Sequence, residues 1–230
     1  ISETVAQARA SFETRPEFMV HLMAIDGASD ALAEEIREVV PLSFPLSSFD
    51  MNLEQIRTTV AGLDPVKKAA VRIRPGGVLQ IEVEPRTPVV VWRTAEGLAL
   101  IDVTGALVDR IARRMDRPDL PLIAGEGAPN HVNEALRLYR AAEPLGKRLR
   151  GFVRMGERRW DVVLDRQQRI LLPEEAPVQA LERVIALDTA EDILRRDIRR
   201  VDLRLGARPT VQMTQQATEK WWDIRQLSGQ

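Results

Sequence analysis

The chain has 230 residues, of which 44% are hydrophobic and 29% charged, with a formal net charge of -1. This balance is typical of one or two globular domains that each bury a core, and it predicts no general attraction to nucleic acid or anionic membranes. The sequence has no cysteine, which excludes disulfides and thiol catalysis, and no apolar run approaches the roughly 20 residues of a membrane-spanning helix.

The N-terminal part of the chain predicts a lead segment followed by a first strand. Residues 1–17 suit a short helix, and Pro16 ends it because proline lacks a backbone N–H donor. Residues 18–25 (FMVHLMAI) form an apolar run of strand length. Asp26 and Gly27 after this run are a turn pair, so the strand is expected to end there.

Two helices are predicted next, each with a capping residue before an apolar stripe. Ser29 and Asp30 precede the first stripe. Asn52 precedes the second stripe, and Gly62 ends it. Both stripes have the spacing of a helix that buries one side. Their members are Leu32, Ile36, Val39 and Val40 in the first helix, and Leu53, Ile56, Val60 and Leu63 in the second.

A hairpin follows the helices. Apolar and polar side chains alternate over residues 71–74 and 79–84 with the period of two that half-buried strands show. Pro75, Gly76 and Gly77 between them fit a tight turn, because proline presets a negative φ and glycine accepts a positive one. The order so far is strand, helix, helix, strand, strand, and the hairpin needs the helices as cover because two strands alone are marginal.

Residues 91–213 predict a second domain of strands with two helices. Asn130 is the expected cap of the first helix, whose stripe is Val132, Leu136 and Tyr139. The second helix begins after Pro177. The predicted strands are residues 97–102, 106–108, 152–155, 160–164, 170–172, 198–205 and 210–213.

The last two predicted strands suggest a surface for a partner. Asp202 and Arg204 alternate with Leu203 and Leu205, so the two charges share one face of the strand. If residues 210–213 lie at a sheet edge, their unpaired backbone groups form a template onto which an extended segment of another protein can add.

The tail, residues 214–230, is polar except for Trp221, Trp222 and Ile224. This composition predicts a mobile terminus. The alternative is that the tryptophans fold back over the edge strand or insert into a neighbouring protein, since exposed aromatic side chains often anchor contacts.

Side chains that could carry catalysis or hold a metal are scarce. His21 and His131 are the two histidines, and without cysteine they cannot complete the usual zinc sets. The lone pair Gly125 and Gly127 lacks the third glycine or the lysine of a phosphate-binding loop. Arginines at 195–208 alternate with acidic residues, which is typical of a salt-bridged surface. The sequence therefore predicts no metal, cofactor, small-molecule substrate or nucleic acid.

An ordered set of segments resembles one family, FtsQ/DivIB, the bitopic bacterial division proteins. Residues 44–93 (FPLSSFDMNLEQIRTTVAGLDPVKKAAVRIRPGGVLQIEVEPRTPVVVWR) are similar to the POTRA domain of that family, with its "V-x-x-A-x-V" strand, its "P-x-x-L-x-I-x-V-x-E" hairpin and its closing "R-x-P-V-x-x-W". Three later segments follow in the family's order. They are the D-x-x-G turn at 102–105, LPLIAGEGA at 120–128 and RRVDLRL at 199–205.

The resemblance implies an α+β fold. We expect a juxtamembrane lead at residues 1–17, a POTRA domain of order β-α-α-β-β at 18–90, a mixed β-sheet domain with two helices at 91–213, and a flexible tail at 214–230. It also implies a natural protein held in the inner membrane by a single preceding helix, with this region in the periplasm.

The resemblance further implies protein partners in place of substrates. In the family, the small coiled-coil protein FtsB, which comes with FtsL, adds a strand after the "V-D-L-R-Y" segment, and Leu205 stands here where tyrosine is common. The positions that would contact FtsB by this carry-over are Arg204, Leu205, Ala207, Thr210, Val211, Gln212, Met213 and the basic pair Arg158 and Arg159.

A second implied surface lies at the junction between the second helix and the hairpin. Val66 and Lys67 match family positions linked to recruitment to the septum through FtsK. Pro65 stands where a tryptophan is common in the family, and Arg74 precedes the turn where the family has a Trp-Pro pair.

The predicted function is a non-enzymatic scaffold of the bacterial divisome that links early components to late ones. One alternative is a POTRA-bearing transport or assembly module, such as an outer-membrane transporter of the two-partner type, which needs a barrel of many strands. The other is a periplasmic enzyme with an unrecognised polar site, which would require a pocket ringed by titratable groups.

Overall fold

The structure of the protein, a computed structural model, describes residues 18–205 and 209–228. The chain divides into two compact units, the first ending at Thr87 and the second beginning at Pro88. Each unit combines helices with a β-sheet, which confirms the predicted α+β class. Ala207, one of the predicted contact residues, and the predicted lead segment at residues 1–17 lie outside the described residues.

The first unit has the predicted order with one addition. A three-stranded sheet has β5 at its centre, parallel to β2 and antiparallel to β4, while β1 pairs with the extra strand β3 between the two helices. The elements are β1 (Met19–Val20), β2 (Leu22–Asp26), α1 (Asp30–Val39), β3 (Leu46–Ser47), α2 (Leu53–Ala61), β4 (Val66–Arg74) and β5 (Val78–Pro85).

The predicted first strand is divided in two at His21. The N–H of His21 donates to the carbonyl of Gly77 at 2.8 Å. On either side of this residue the chain pairs with different strands, β1 with β3 and β2 with β5. His21 is exposed.

Both predicted helix caps in the first unit are confirmed. The Ser29 hydroxyl accepts the N–H of Leu32 at 3.3 Å, and the Asn52 side chain accepts the N–H of Gln55 at 2.9 Å. These bonds satisfy donors that the first turn of a helix leaves without partners. The core between helices and sheet contains Val20, Leu32, Ile36, Val40, Ile56, Val60, Val66, Leu79, Ile81 and Val83.

The second unit is built on a nine-stranded sheet of order β14-β13-β12-β11-β10-β9-β6-β7-β8. Its strands are β6 (Val90–Arg93), β7 (Leu98–Ile101), β8 (Leu107–Ile111), β9 (Leu122–Ala124), β10 (Leu149–Met155), β11 (Arg159–Leu164), β12 (Arg169–Leu171), β13 (Ile198–Asp202) and β14 (Thr210–Met213). Its helices are α3 (Val132–Ala141), α4 (Pro177–Glu191) and α5 (Gln215–Ser228).

Helices α3 and α4 cover one face of this sheet. Their apolar side chains join alternate residues of the strands, among them Phe152, Trp160, Val162 and Ile170, in one buried cluster. Because side chains alternate along a strand, the residues between these point to the other face. That other face carries Arg159, Asp161, Val163 and Arg169, and is here called the open face.

The helix α3 differs from its prediction at its start and in its buried stripe. Asn130 lies in a 3-10 turn, and His131 occupies the cap position without a side-chain hydrogen bond. The residues that α3 buries are Val132, Ala135 and Leu138. Of the predicted stripe, Val132 is buried and Leu136 is partly buried against the same core, whereas Tyr139, near the C-terminal end of α3, is 39% exposed.

The strand β13 ends at Asp202, three residues earlier than predicted. The N–H of Leu203 still donates to the carbonyl of Leu171 at 3.0 Å, and the chain then bends at Arg204. As a result Leu205 is 91% exposed, whereas the alternation predicted it on the apolar side with Leu203.

The tail contains a helix that the sequence analysis did not predict. The hydroxyl of Thr214 accepts the N–H of Ala217 at 3.2 Å and thereby caps the start of α5. Trp221 and Trp222 in this helix are 44% and 53% exposed, and their rings meet edge to face. The indoles therefore keep much of their surface available to solvent or to a partner.

Candidate partner-binding edge

The strand β14 forms one edge of the nine-stranded sheet. It pairs antiparallel with β13, with Val211 opposite Val201 and Thr210 opposite Asp202. All four residues of β14 are exposed. This position at an edge is the condition that strand addition requires.

The backbone of β14 has donors that point away from the sheet. The N–H of Thr214 donates to the carbonyl of Asp197 at 3.0 Å, so this group points toward the β13 side. Backbone groups of successive residues in a strand point in opposite directions. The N–H groups of Val211 and Met213 therefore point outward, and that of Gln212 points toward β13.

The side chains of β14 give the edge two different faces. Residues opposite each other on adjacent strands share a face, so Val211 lies with the buried Val201 on the helix side. Gln212 lies opposite Arg200 on the open face. A strand added outside β14 would meet apolar neighbours on one face and polar neighbours on the other.

Arg204 lies beside this edge and is already paired. Its Nη2 lies 2.6 Å from Asp202 Oδ2, and its Nε donates to Asp202 Oδ1 at 2.9 Å. These hydrogen bonds lower the pKa of Asp202 and raise that of Arg204. Nη1 of Arg204 has no partner within the described ranges, so the guanidinium can still donate to a second carboxylate.

A groove of about 820 Å³ on the open face brings several predicted residues together. Arg159, Arg204 and Gln212 all line it. Arg158 does not; it is exposed in the turn before β11. The groove thus joins one member of the predicted basic pair to the edge strand.

Asp161 lines the same groove and was missed by the sequence analysis. Only 4% of the residue is exposed, and burial raises the pKa of its carboxyl group above its ordinary value despite the nearby arginines. Its Oδ2 accepts from Arg169 Nη1 at 3.4 Å, while Oδ1 is buried without a partner in the described part of the chain. The feature of the sequence that could have indicated this site is the charged Asp161 between the apolar Trp160 and Val162.

The two residues of the implied recruitment surface have different environments. Val66 is 1% exposed and belongs to the core of the first unit, so its side chain offers no surface. It is buried because it starts β4 directly beneath the helices. Lys67 is exposed, and its Nζ donates to Glu84 Oε1 at 2.5 Å.

The next two findings concern metal-binding clusters and membrane-spanning helices. Among residues 18–205 and 209–228, the structure has no cluster of three or more His, Asp or Glu that could hold a metal ion. In the same ranges, no helix is both long enough and apolar enough to cross a bilayer.

Comparisons with known proteins identify the family. The family model described as "Cell division protein FtsQ/DivIB, C-terminal" matches residues 90–204, which include β6 to β13 and end before β14. "Cell division protein FtsQ" of Roseobacter litoralis is 72% identical over 230 residues, covering 100% of this chain and 78% of that protein. The protein of the same name from Dinoroseobacter shibae is 48% identical over 229 residues, covering 100% of this chain and 77% of its own length.

A more distant relative also matches most of the chain, at lower identity. "Cell division protein FtsQ" of Agrobacterium fabrum is 28% identical over 203 residues, which are 88% of this chain and 64% of that protein. The chain belongs to the FtsQ/DivIB family of cell division proteins.

Proposed function

We propose that this protein is a non-catalytic scaffold of the divisome that binds FtsB, together with FtsL, through strand addition at β14. In this role it links early division components to late ones from the periplasmic side of the inner membrane. The observation that carries the proposal is the position of β14 at the sheet edge, with the N–H groups of Val211 and Met213 pointing outward.

The composition of β14 supports this role. Edge strands that must not pair usually carry lysine, proline or an inward-pointing charge. The residues Thr210–Met213 contain none of these. The edge is therefore open to an additional strand, whose backbone would provide affinity and whose side chains would provide specificity.

Two residues beside the edge support an acidic and apolar partner segment. Arg204 keeps Nη1 available and lines the groove with Arg159, so an acidic side chain of the partner can share the Asp202 ion pair. Leu205, at the position where the family commonly has tyrosine, is 91% exposed and offers an apolar contact there.

The groove beside the edge favours binding over catalysis. Its lining contains one carboxylate, Asp161, one hydroxyl, that of Thr214, which caps α5, and no serine, histidine or cysteine. Catalysis by an activated nucleophile requires a nucleophile within hydrogen-bond reach of a base. A contact with FtsK at the second implied surface would rest on the exposed Lys67, which also pairs with Glu84, because Val66 is buried.

Calorimetry with the periplasmic segment of FtsB from the same organism tests the proposal. Proline in Val211→Pro removes an outward donor, and we expect the dissociation constant to rise by at least about tenfold. Val211→Ala keeps the donor and shortens the side chain, so we expect it to bind within about threefold of the wild type. Circular dichroism melts verify that both variants are folded.

Each outcome of this experiment has a defined meaning. Loss of binding in folded Val211→Pro with retention in Val211→Ala supports strand addition. Equal binding by all three proteins contradicts it and moves the contact away from β14. Absence of binding by the wild type contradicts the assignment of FtsB as the partner.

A further inference from the structure

A second groove lies on the open face, away from β14. It has a volume of about 510 Å³ and extends over β6, β9, β10, β11 and β12. Its floor is apolar, with Leu122, Val153 and Val163 from three neighbouring strands. Gly151 is buried beside them, and a Cβ added there would lie 2.7 Å from the carbonyl oxygen of Leu122. We call this site the arginine cleft.

The rim of the arginine cleft is basic. Arg93, Arg114, Arg150 and Arg169 line it, and its lining contains no Asp or Glu. This concentration of charge stands out in a chain whose net charge is only -1. A recessed site lined by one sign of charge attracts ligands of the opposite sign.

The arginines of the cleft are available to a ligand. Arg93 and Arg150 are exposed, and their side chains have no hydrogen-bond or ion-pair partner within the described ranges. Arg114 donates to the carbonyl groups of Arg117 and Leu120, the latter at 2.5 Å, so its position is fixed while no carboxylate contacts it. Among the described residues, Arg169 is the cleft arginine that forms an ion pair, with Asp161 at 3.4 Å, and Asp119 is near enough to Arg114 to interact with its charge.

The arginines around an apolar floor indicate which kind of ligand the cleft can bind. The guanidinium fork binds carboxylates in bidentate geometry, and four such groups around an apolar floor fit a segment that alternates acidic and apolar side chains. Nucleic acid fits less well, because single strands need aromatic platforms for stacking. Phe152, the one aromatic residue of the lining, is 1% exposed and belongs to the core on the helix side.

We infer that the arginine cleft binds an acidic, apolar-containing segment of a partner protein. The cleft shares Val163 and Arg169 with the groove beside β14. Arg93 and Arg150 do not line that groove, and they lie on β6 and β10, at least four strands from β14, or about 19 Å for a strand spacing near 4.8 Å. A strand added outside β14 does not reach that far. The inference therefore goes beyond the proposed FtsB contact and does not depend on it.

Fluorescence anisotropy with a labelled peptide tests the inference on the whole chain. The probe is the six-residue peptide Glu-Leu-Glu-Val-Glu-Leu, and its neutral match is Gln-Leu-Gln-Val-Gln-Leu. We expect the acidic peptide to bind, and to bind more weakly as salt screens the charges. The neutral peptide is expected to bind at least about tenfold more weakly.

Matched variants locate the binding. The double variant Arg93→Glu/Arg150→Glu reverses two cleft charges, and we expect a loss of at least about tenfold. The control Arg137→Glu/Arg183→Glu makes the same charge change on exposed positions of α3 and α4, where we expect less than about a twofold effect. Val211→Pro is expected to bind the acidic peptide as the wild type does, since β14 is remote.

Three results would overturn the inference. The first is no binding of the acidic peptide by the wild type. The second is an equal loss in both double variants, which would show attraction to the general charge of the protein. The third is tighter binding of phosphatidylglycerol vesicles than of the peptide with the same dependence on Arg93 and Arg150, which would identify a lipid headgroup as the ligand.

Discussion

Arg204 and Asp202 form a bidentate ion pair at the end of β13, with 2.6 Å between Nη2 and Oδ2. Asp202 Oδ1 also accepts the backbone N–H of Arg204 at 3.0 Å. The three hydrogen bonds fix the bend at which the chain leaves the sheet. This bend exposes Leu205 and presents Arg204 beside β14, which connects a local ion pair to the proposed binding edge.

Asp202→Asn should destabilise the protein at neutral pH. The pKa of Asp202 is lowered in the folded state, chiefly by its hydrogen bond with Arg204. Its stabilisation is therefore present above the ordinary pKa of 3.8 and is lost as the pH falls through the folded-state pKa. We expect a loss of about 1 kcal/mol at pH 7, measured by urea denaturation. A difference that grows toward acid pH would contradict this account.

Asp161→Asn should have the opposite effect. Burial raises the pKa of Asp161, so the charged carboxylate costs stability at neutral pH, and the cost disappears below the ordinary value of 3.8, where folded and unfolded states are both protonated. We expect the variant to melt a few degrees above the wild type at pH 7 and to lose this advantage in acid. A variant less stable than the wild type at pH 7 would show that the Arg169 contact outweighs burial.

The buried charge of Arg154 should depend on Glu134. Arg154 Nη1 and Trp160 Nε1 both donate to Glu134 Oε2 at 2.8 Å, and only 5% of the Arg154 side chain is exposed. Glu134→Ala leaves a buried cation without its partner, and we expect it to cost about 3–5 kcal/mol. Glu134→Gln keeps an acceptor and should cost less, about 1–3 kcal/mol. Urea denaturation followed by circular dichroism measures both, and equal losses would contradict the role of the charge.

Gly105→Ala should be far more costly than a similar change at Gly156. Gly105 has φ +86°, and a Cβ there would lie 2.2 Å from the carbonyl oxygen of Pro129. Gly156 has φ +56° with nothing within 4 Å of the added atom. We expect losses of about 3 kcal/mol or more for Gly105→Ala and about 1 kcal/mol for Gly156→Ala. Similar losses in thermal melts of the two variants would mean that the close approach to Pro129 is relieved by a shift of the loop.

Features that depend on neighbouring residues in the sequence were predictable. The caps Ser29 and Asn52 act within one turn of helix, and the D-x-x-G turn is local because Asp102 Oδ1 accepts the N–H groups of Thr104 and Ala106. The position of residues 210–213 as a strand followed from its flanking pattern. The family resemblance then ordered these local features along the chain.

Features that depend on distant pairing were not predictable. The break at His21 arises from pairing with Gly77, and β9 lies between β6 and β10 through parallel contacts that no local pattern encodes. The burial of Asp161 depends on neighbouring strands of the sheet. Alternation alone could not foresee that the chain bends after Leu203 and exposes Leu205.

Residue-resolved amide exchange of β14 tests strand addition most directly. In the free protein, the outward amides of Val211 and Met213 should exchange fast, while the amide of Gln212 is already protected by β13. Saturation with the periplasmic segment of FtsB should slow exchange at Val211 and Met213 by at least about tenfold and change Gln212 little. Unchanged exchange at Val211 and Met213 in the saturated complex would contradict strand addition at this edge.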